Sequence, residues 1–366
     1  MDTPLGVLDR TLPVYIAGHR GLVGSALVRK FQGEGFTNLL LQTHSELDLT
    51  DRAATFDFVV ESRPQVVIDA AARVGGIMAN NTYPVDFLSE NLRMQVNLLD
   101  AAVAARVPRL LFLGSSCIYP KFAPQPIKES ALLTGALEST NDSYAIAKIA
   151  GILQVQAVRR QYGLAWISAM PTNLYGPNDN FSEAGSHLLP ALIRRYEEAR
   201  RSGRPEVTNW GTGNPRRELL HVDDLASACL YLLEHYDEPT HVNIGTGIDH
   251  TIREIAEMVA SAVGYAGETH WDTTKPDGTP RKLLDISVLR QAGWEPRIGL
   301  RDGIESTVAW YRRMPARYAS NRRELATPQA KSCFRPGRAC MPHTSCVDKR
   351  GVFTPKPLQL CIAMLV

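Results

Sequence analysis

Between Pro13 and Met170, five short apolar runs alternate with segments of helical spacing, and this rhythm constrains the 366-residue chain more than any other feature. The runs lie at 13–18, 38–42, 66–70, 109–114 and 165–170, and their apolar residues are continuous rather than alternating. A strand covered on both faces has that pattern, because neither side meets water. Segments with helical spacing, at 25–31, 53–62, 87–105 and 145–162, separate them. Strands that alternate with helices predict an α/β fold built on a parallel, doubly wound sheet.

The rhythm changes after Pro171. A stretch rich in Gly, Pro, Asn and Ser at 176–185 reads as an ordered loop, followed by a helix at 188–202. Short strands are predicted at 207–210 and 218–222, helices at 223–236, 251–263 and 303–313, and a loop at 275–282. The run His241-Val-Asn-Ile-Gly has the character of a strand that rejoins the sheet. The expected organisation is a Rossmann-like domain from 12–173 plus 217–248, and a smaller, discontinuous substrate domain from 174–216 plus 249–318.

Composition excludes several classes of function. The net charge of +2 offers no basic footprint for a nucleic acid. No window of 18 residues is free of charged and polar groups, so no membrane span is expected. The N-terminal residues lack a basic start followed by an apolar run, so no secretory signal is expected either. A cytoplasmic setting follows as an expectation. The near-neutral total is an average of two unlike parts. Residues 321–366 hold eight of the 40 Lys and Arg, two of the 38 Asp and Glu, and four of the six cysteines. The spacing of Cys333, Cys340, His343 and Cys346 does not match the paired zinc-ligand pattern. That tail is expected to be a disordered extension, and no metal site is expected.

The first strand-to-helix turn reads Gly18-His19-Arg20-Gly21-Leu22-Val23-Gly24. Glycines there let the backbone turn sharply and approach a pyrophosphate, while the helix N-terminus offers free N–H groups to it. An NAD site usually has an acid near the end of the second strand to bind the ribose 2′-hydroxyl. Here no acid precedes Glu46, whereas Arg20 and His44 flank the place where a 2′-phosphate would sit. This favours NADPH; the alternative for His44 is a solvated loop residue.

Tyr144 and Lys148 are four residues apart at a helix start and share one face. An ammonium beside a phenol lowers its pKa, which suits Tyr144 to give a proton to a carbonyl oxygen that receives hydride. Taken alone, such a pair is more often a surface helix pair. Its position downstream of Leu113-Gly114-Ser115-Ser116, at the end of the fourth strand, is where an open α/β sheet carries its ligand.

These residues resemble the extended, sugar-nucleotide-modifying branch of the short-chain dehydrogenase/reductase superfamily. The resemblance implies that Ser115 and Tyr144 bond the substrate oxygen and that Lys148 also holds the nicotinamide ribose. Longer stretches are similar to the GDP-L-fucose synthase family, the GDP-4-keto-6-deoxy-D-mannose 3,5-epimerase-4-reductases. They include Gly18-His-Arg-Gly-Leu-Val-Gly-Ser-Ala, Gly114-Ser-Ser-Cys-Ile-Tyr-Pro-Lys, Ser143-Tyr-Ala-Ile-Ala-Lys-Ile-Ala-Gly and Lys275-Pro-Asp-Gly-Thr-Pro-Arg-Lys. The likeness spans roughly 13–315.

The resemblance implies epimerisation at C3 and C5 of GDP-4-keto-6-deoxy-D-mannose, followed by NADPH-dependent reduction at C4. It casts Cys117 and His187 as base and acid, and with Cys117 as a thiolate base a depressed thiol pKa is expected. It assigns Arg195, Trp210, Arg217 and Asp277 to the GDP-sugar, and Leu113–Ser116, Pro171, Thr172, Asn173, Leu174 and His187 to the cofactor. It further implies a homodimer formed through the long helices. The family commonly carries arginine where this chain has His44, so NADPH preference here is weaker or rests on Arg20. Without the resemblance, Cys117 reads as a packed small hydrophobe, His187 as structural, and each arginine as a surface ion pair with Glu218 or Glu197. Two other readings stand beside it: an NAD-retaining sugar-nucleotide 4-epimerase or dehydratase, and a non-catalytic dinucleotide sensor.

Overall fold

The computed structural model describes residues 6–183, 185–275 and 277–314. The tail expected to be disordered lies outside the described residues, as do its four cysteines.

Six parallel strands form the main sheet: β1 (Val14–Ala17), β2 (Leu39–Leu40), β3 (Val66–Asp69), β4 (Arg109–Leu113), β5 (Ala165–Pro171) and β9 (Val242–Ile244). Their order is β2-β1-β3-β4-β5-β9. The chain therefore winds outward from β1 to β2, then crosses back to β3 and continues the other way. The reversal leaves a crevice beyond the carboxyl ends of β1 and β3. The strand at 241–245 does rejoin the sheet, beside β5. The second strand is shorter than the sequence suggests, because β2 is a half-buried edge with only Leu39 and Leu40 paired.

Successive side chains on a strand point to opposite faces, and the core divides accordingly. Val14, Ile16, Val66, Ile68, Leu111 and Leu113 pack with α1 (Leu22–Gly33) and α7 (Val222–His235) on one face. Tyr15, Ala17, Val67, Leu110 and Phe112 meet α4 (Pro84–Ala104) and α5 (Asp142–Tyr162) on the other, with α2 (Arg52–Ser62) beside them. A short helix, α3 (Ile77–Thr82), precedes α4.

A third core lies around α6 (Leu188–Ser202), α8 (Ile252–Val263) and α10 (Leu300–Arg313). Beside it are two small sheets. In one, β8 (Arg216–His221) pairs with β6 (Asn173–Tyr175), β10 (Asp249–Thr251) and β12 (Arg281–Lys282). In the other, β7 (Glu206–Trp210) pairs in parallel with β11 (Glu268–Asp272). A one-turn helix, α9 (Ser287–Gln291), follows β12. The loop expected at 275–282 thus ends as a strand, and its pairing with β8 sets Lys282 opposite Arg217.

Candidate active site

The glycine loop closes the β1–α1 turn. Gly21 caps α1 without any side-chain acceptor, and the first turn holds no acid. Its backbone donors are thus left for a ligand anion. A Cβ at position 24 would overlap the carbonyl oxygen of Gly18, so only glycine lets the helix start this close to the loop. Behind the loop, Asn178 donates to Ser25 Oγ at 3.0 Å. These features fit a dinucleotide pyrophosphate. Arg20 is exposed beside the half-buried His19, whose pKa is lowered by burial and by Arg20. His44 takes the solvated of its two expected settings: it is 80% exposed, with Nδ1 3.8 Å from Asp48 Oδ1.

Beyond β4 the chain turns through Gly114 and Ser115 into a single 3-10 turn, Ser116–Ile118. Ser115 Oγ accepts the Cys117 N–H at 3.4 Å, which holds the buried thiol next to the serine. Helix α5 starts three residues earlier than its periodicity predicts, so Tyr144 falls in its first turn. A Cβ at Gly151 would overlap the Phe112 ring. The bare glycine therefore lets α5 lie close on β4. Lys148 follows one turn after Tyr144, 3% exposed, with Nζ 4.8 Å from the centre of the Phe112 ring. It donates to the Leu113 carbonyl at 2.9 Å.

Two pKa expectations change. Burial pushes the Tyr144 phenol up, with Cys117 and Asp69 adding to the rise, so proximity to Lys148 does not give the lowered value expected. Burial likewise pushes the Cys117 thiol up, against the depression expected. Lys282, the Ser115 hydroxyl and Lys148 pull it back down. The physical reason is shared: desolvation disfavours the anion of each group.

His187 forms the N-cap of α6. Its side chain keeps an exposed face, yet partial desolvation by the surrounding protein, and then the Lys282 ammonium, lower its imidazole pKa. Lys282 thus acts on both Cys117 and His187, and its own pKa is lowered by burial and raised by Cys117. In the sequence Lys282 is only the last residue of the stretch that begins at Lys275. No local signal marks it, because the pairing of β12 with β8 is what brings it to the site.

Of the remaining predicted residues, Arg217 lies beside Lys282 on the neighbouring strand, with Asp277 near Arg217. Arg217 donates to the Arg216 and Thr279 carbonyls, each at 2.7 Å. Arg195 donates to Asn209 Oδ1 at 2.5 Å, one residue before Trp210, which is 68% exposed. Asp277 accepts from the Thr212 N–H at 2.9 Å and its hydroxyl at 2.7 Å. The ion pairs that the sequence allowed do not form. Glu218 instead takes the N–H groups of Thr246, Gly247 and Leu284, at 2.7, 2.7 and 2.9 Å. Glu197 pairs with Arg200, Arg201 and Arg312. Among the described residues, Arg195 and Arg217 have no carboxylate within ion-pair distance. Near the end of β5, Thr172 donates its N–H to the Ile244 carbonyl at 2.9 Å, and Asn173 Nδ2 donates to the Glu218 carbonyl at 3.0 Å. Pro171 and Leu174 flank them. No group of three or more metal-ligating side chains occurs among the described residues.

The structure therefore brings Ser115, Cys117, Tyr144 and Lys148 together at the β4 end and links Cys117 to His187 through Lys282. These are a phenol, a thiol, an imidazole and two ammonium groups, in a chain whose first strand ends in a glycine-rich turn. The family model described as NAD dependent epimerase/dehydratase family matches residues 14–245. GDP-L-fucose synthase 1 of Arabidopsis thaliana is 60% identical over 303 residues, 83% of this chain and 94% of that protein. GDP-L-fucose synthase of Escherichia coli strain K12 is 52% identical over 307 residues, covering 81% and 96%. Among solved structures, a GDP-L-fucose synthetase from Naegleria fowleri bound to NADP superposes with a TM-score of 0.77 at 26% identity, covering 85% and 97%. By this likeness over most of its length, the chain belongs to the NAD dependent epimerase/dehydratase family and, within it, to the GDP-L-fucose synthase branch.

Proposed function

We propose that this chain converts GDP-4-keto-6-deoxy-D-mannose to GDP-L-fucose, by epimerisation at C3 and C5 and reduction at C4. The observation that carries the reading is the cluster of Cys117, Lys282 and His187 next to Tyr144 and Lys148. A plain reductase needs only the last two. NADPH, held by the glycine loop, Leu113–Ser116 and 171–174, supplies the hydride to C4.

The C4 ketone makes the C–H bonds at C3 and C5 acidic. Cys117 takes a proton from carbon, and His187 returns one. The Lys282 charge favours the thiolate. It also lowers the pKa of His187, so the imidazolium gives up its proton more readily. Ser115 and Tyr144 then bond the ketone oxygen, and Tyr144 gives it a proton as hydride arrives. Lys148 stabilises the resulting phenolate and holds the nicotinamide ribose. Arg195 and Arg217, lacking ion-pair partners among the described residues, are available for the diphosphate of GDP, whose oxygens suit the planar guanidinium fork. Trp210 and Asp277 complete the sugar-nucleotide site.

The division of labour is by segment, although Leu284, Ile286, Leu289 and Trp294 pack into the cores of the main sheet and Leu219 into the third core. Residues 12–173 plus 217–248 hold NADPH, and 174–216 plus 249–318 hold the substrate, with Arg217 reaching the substrate from the edge of the first part. Exposed Val85, Val96, Ile146 and Leu153 on α4 and α5 support a homodimer through these helices. No helix among the described residues is long and apolar enough to cross a membrane, and a functional thiol suits a reducing cytoplasm. The test is NADPH oxidation, followed by loss of its near-ultraviolet absorbance, with GDP-4-keto-6-deoxy-D-mannose as substrate. Folded protein that consumes no NADPH would rule the reading out.

A further inference from the structure

Asp69 ends β3 at the point where the strand order reverses, and no step above uses it. It is 1% exposed. Its register partner on β4 is Phe112, and its partner on β1 is Ala17. Partners in register point to the same face of a sheet, so Asp69 lies on the face where Phe112 carries the Lys148 ammonium above its ring.

The carboxylate is poorly supported by hydrogen bonds. Oδ1 accepts the Ala71 N–H at 3.2 Å, and Oδ2 has no hydrogen-bond partner among the described residues. Four groups face it: the Ala71 N–H, Lys148 and Tyr144 on α5, and Tyr15 on β1. Lys148 is the one cation among them. Burial pushes the Asp69 carboxyl up, while the Lys148 charge and then the Ala71 N–H pull it back down. An isolated buried carboxylate costs several kcal/mol, so Lys148 is the main support of its ionised form. The same holds in reverse for Lys148, whose burial disfavours the ammonium while Asp69 and Cys117 favour it.

The two groups do not form an ion pair within 4.0 Å, the limit that a carboxylate and an ammonium in contact would meet. Lys148 spends one N–H on the Leu113 carbonyl. An ammonium has three donors, so two remain for a ligand. A carboxylate in direct contact would occupy them; one acting across the buried space supplies charge and leaves them free.

We propose that Asp69 is a positioning residue, the remote counter-charge that keeps Lys148 protonated while leaving its donors open to the nicotinamide ribose and the Tyr144 phenolate. The inference deepens the functional reading above and rests on it for the roles of Lys148 and Tyr144.

The experiment compares Asp69→Asn and Asp69→Leu with the wild-type chain. NADPH affinity is measured from pH 6 to 10 by cofactor fluorescence, and C4 reduction is measured over the same range. Loss of the counter-charge is expected to move the alkaline fall of both profiles down by about one pH unit, a roughly tenfold loss at the wild-type midpoint. Solvent-deuterium exchange at C3 and C5 should persist. A merely structural Asp69 would lower thermal stability and leave the alkaline limb in place, and that result overturns the proposal. Binding needs no turnover, so a shifted binding profile in a protein that reduces nothing would sustain the role of Asp69 while refuting the assigned reaction. Should neither variant fold, the wild-type Lys148 side-chain nitrogen decides, observed by NMR with 15N-lysine and assigned by Lys148→Arg. An ammonium at pH 7 is expected; a neutral amine defeats the idea.

Discussion

Lys282 stands opposite Arg217 in the parallel β12–β8 ladder, so two cations from distant parts of the chain enter the site side by side. Their company differs. Lys282 acts on Cys117 and His187, whereas Arg217 lies near Asp277. Lys282→Met is therefore predicted to raise the Cys117 thiol pKa and reduce its thiolate fraction. Deuterium incorporation at C3 and C5 should fall about tenfold at pH 7 for each unit of that rise, and recover as the pH is raised. An unchanged acid limb would separate Lys282 from the base.

Tyr144→Phe and Cys117→Ser should divide the reaction. The first removes the proton donor to the C4 oxygen, and reduction should fall by about 10²–10⁴-fold while deuterium exchange continues. The second should remove exchange and keep NADPH affinity. Loss of both activities in Tyr144→Phe would show that the two steps share their acid.

Arg217→Lys keeps a charge and loses the guanidinium fork. KM for the GDP-sugar should rise about tenfold or more, with kcat much less affected, because diphosphate binding is common to the ground and transition states. Steady-state kinetics reads this directly, and a fall in kcat alone would argue against a diphosphate role.

Gly24→Ala places a methyl group against the Gly18 carbonyl. Overpacking of this kind costs about 1–3 kcal/mol, and NADPH binding should weaken with it. Gly33→Ala at the end of the same helix meets nothing within 4 Å and should leave binding intact. Equal effects from both would mean the loop is not the cofactor's seat.

Glu197 gathers Arg200, Arg201 and Arg312. Burial alone raises its pKa, but hydrogen bonds from these arginines outweigh it and bring the value down to about 2 from 4.5. A depressed carboxylate stabilises the fold above its unfolded pKa and loses that contribution as pH falls through the folded one. Glu197→Gln should therefore cost about 2–3 kcal/mol at neutral pH, and the gap to wild type should close between pH 4.5 and 2. Chemical denaturation across that range measures it.

Much of the fold was legible because its signals are local. Continuous apolar runs gave β1, β3, β4 and β5, and the glycine loop and the Tyr144–Lys148 spacing stood at the strand ends where a parallel sheet keeps its ligands. The pairing of β12 with β8 was not legible, and Lys282 went without a role for that reason. The thiol and phenol pKa directions were misjudged because charge neighbours can be read from spacing, whereas desolvation depends on the whole packed core. Asp69 looked like one more residue of a strand; only its register opposite Phe112 puts it on the lysine's side of the sheet.

Glu218 binds the N–H groups of Thr246, Gly247 and Leu284, while Thr172 and Asn173 reach its backbone carbonyl. The basic residues on β8 and β12 and the segment after β5 therefore hang from one buried anchor. The segments that carry the residues proposed for the substrate, for the acidity of the thiol and for the cofactor are thus tied to one residue, by its carboxylate on one side and its carbonyl on the other. Variation at position 218 would disturb all three at once, so the enzyme's specificity can be retuned at the tips of these strands far more readily than at their root.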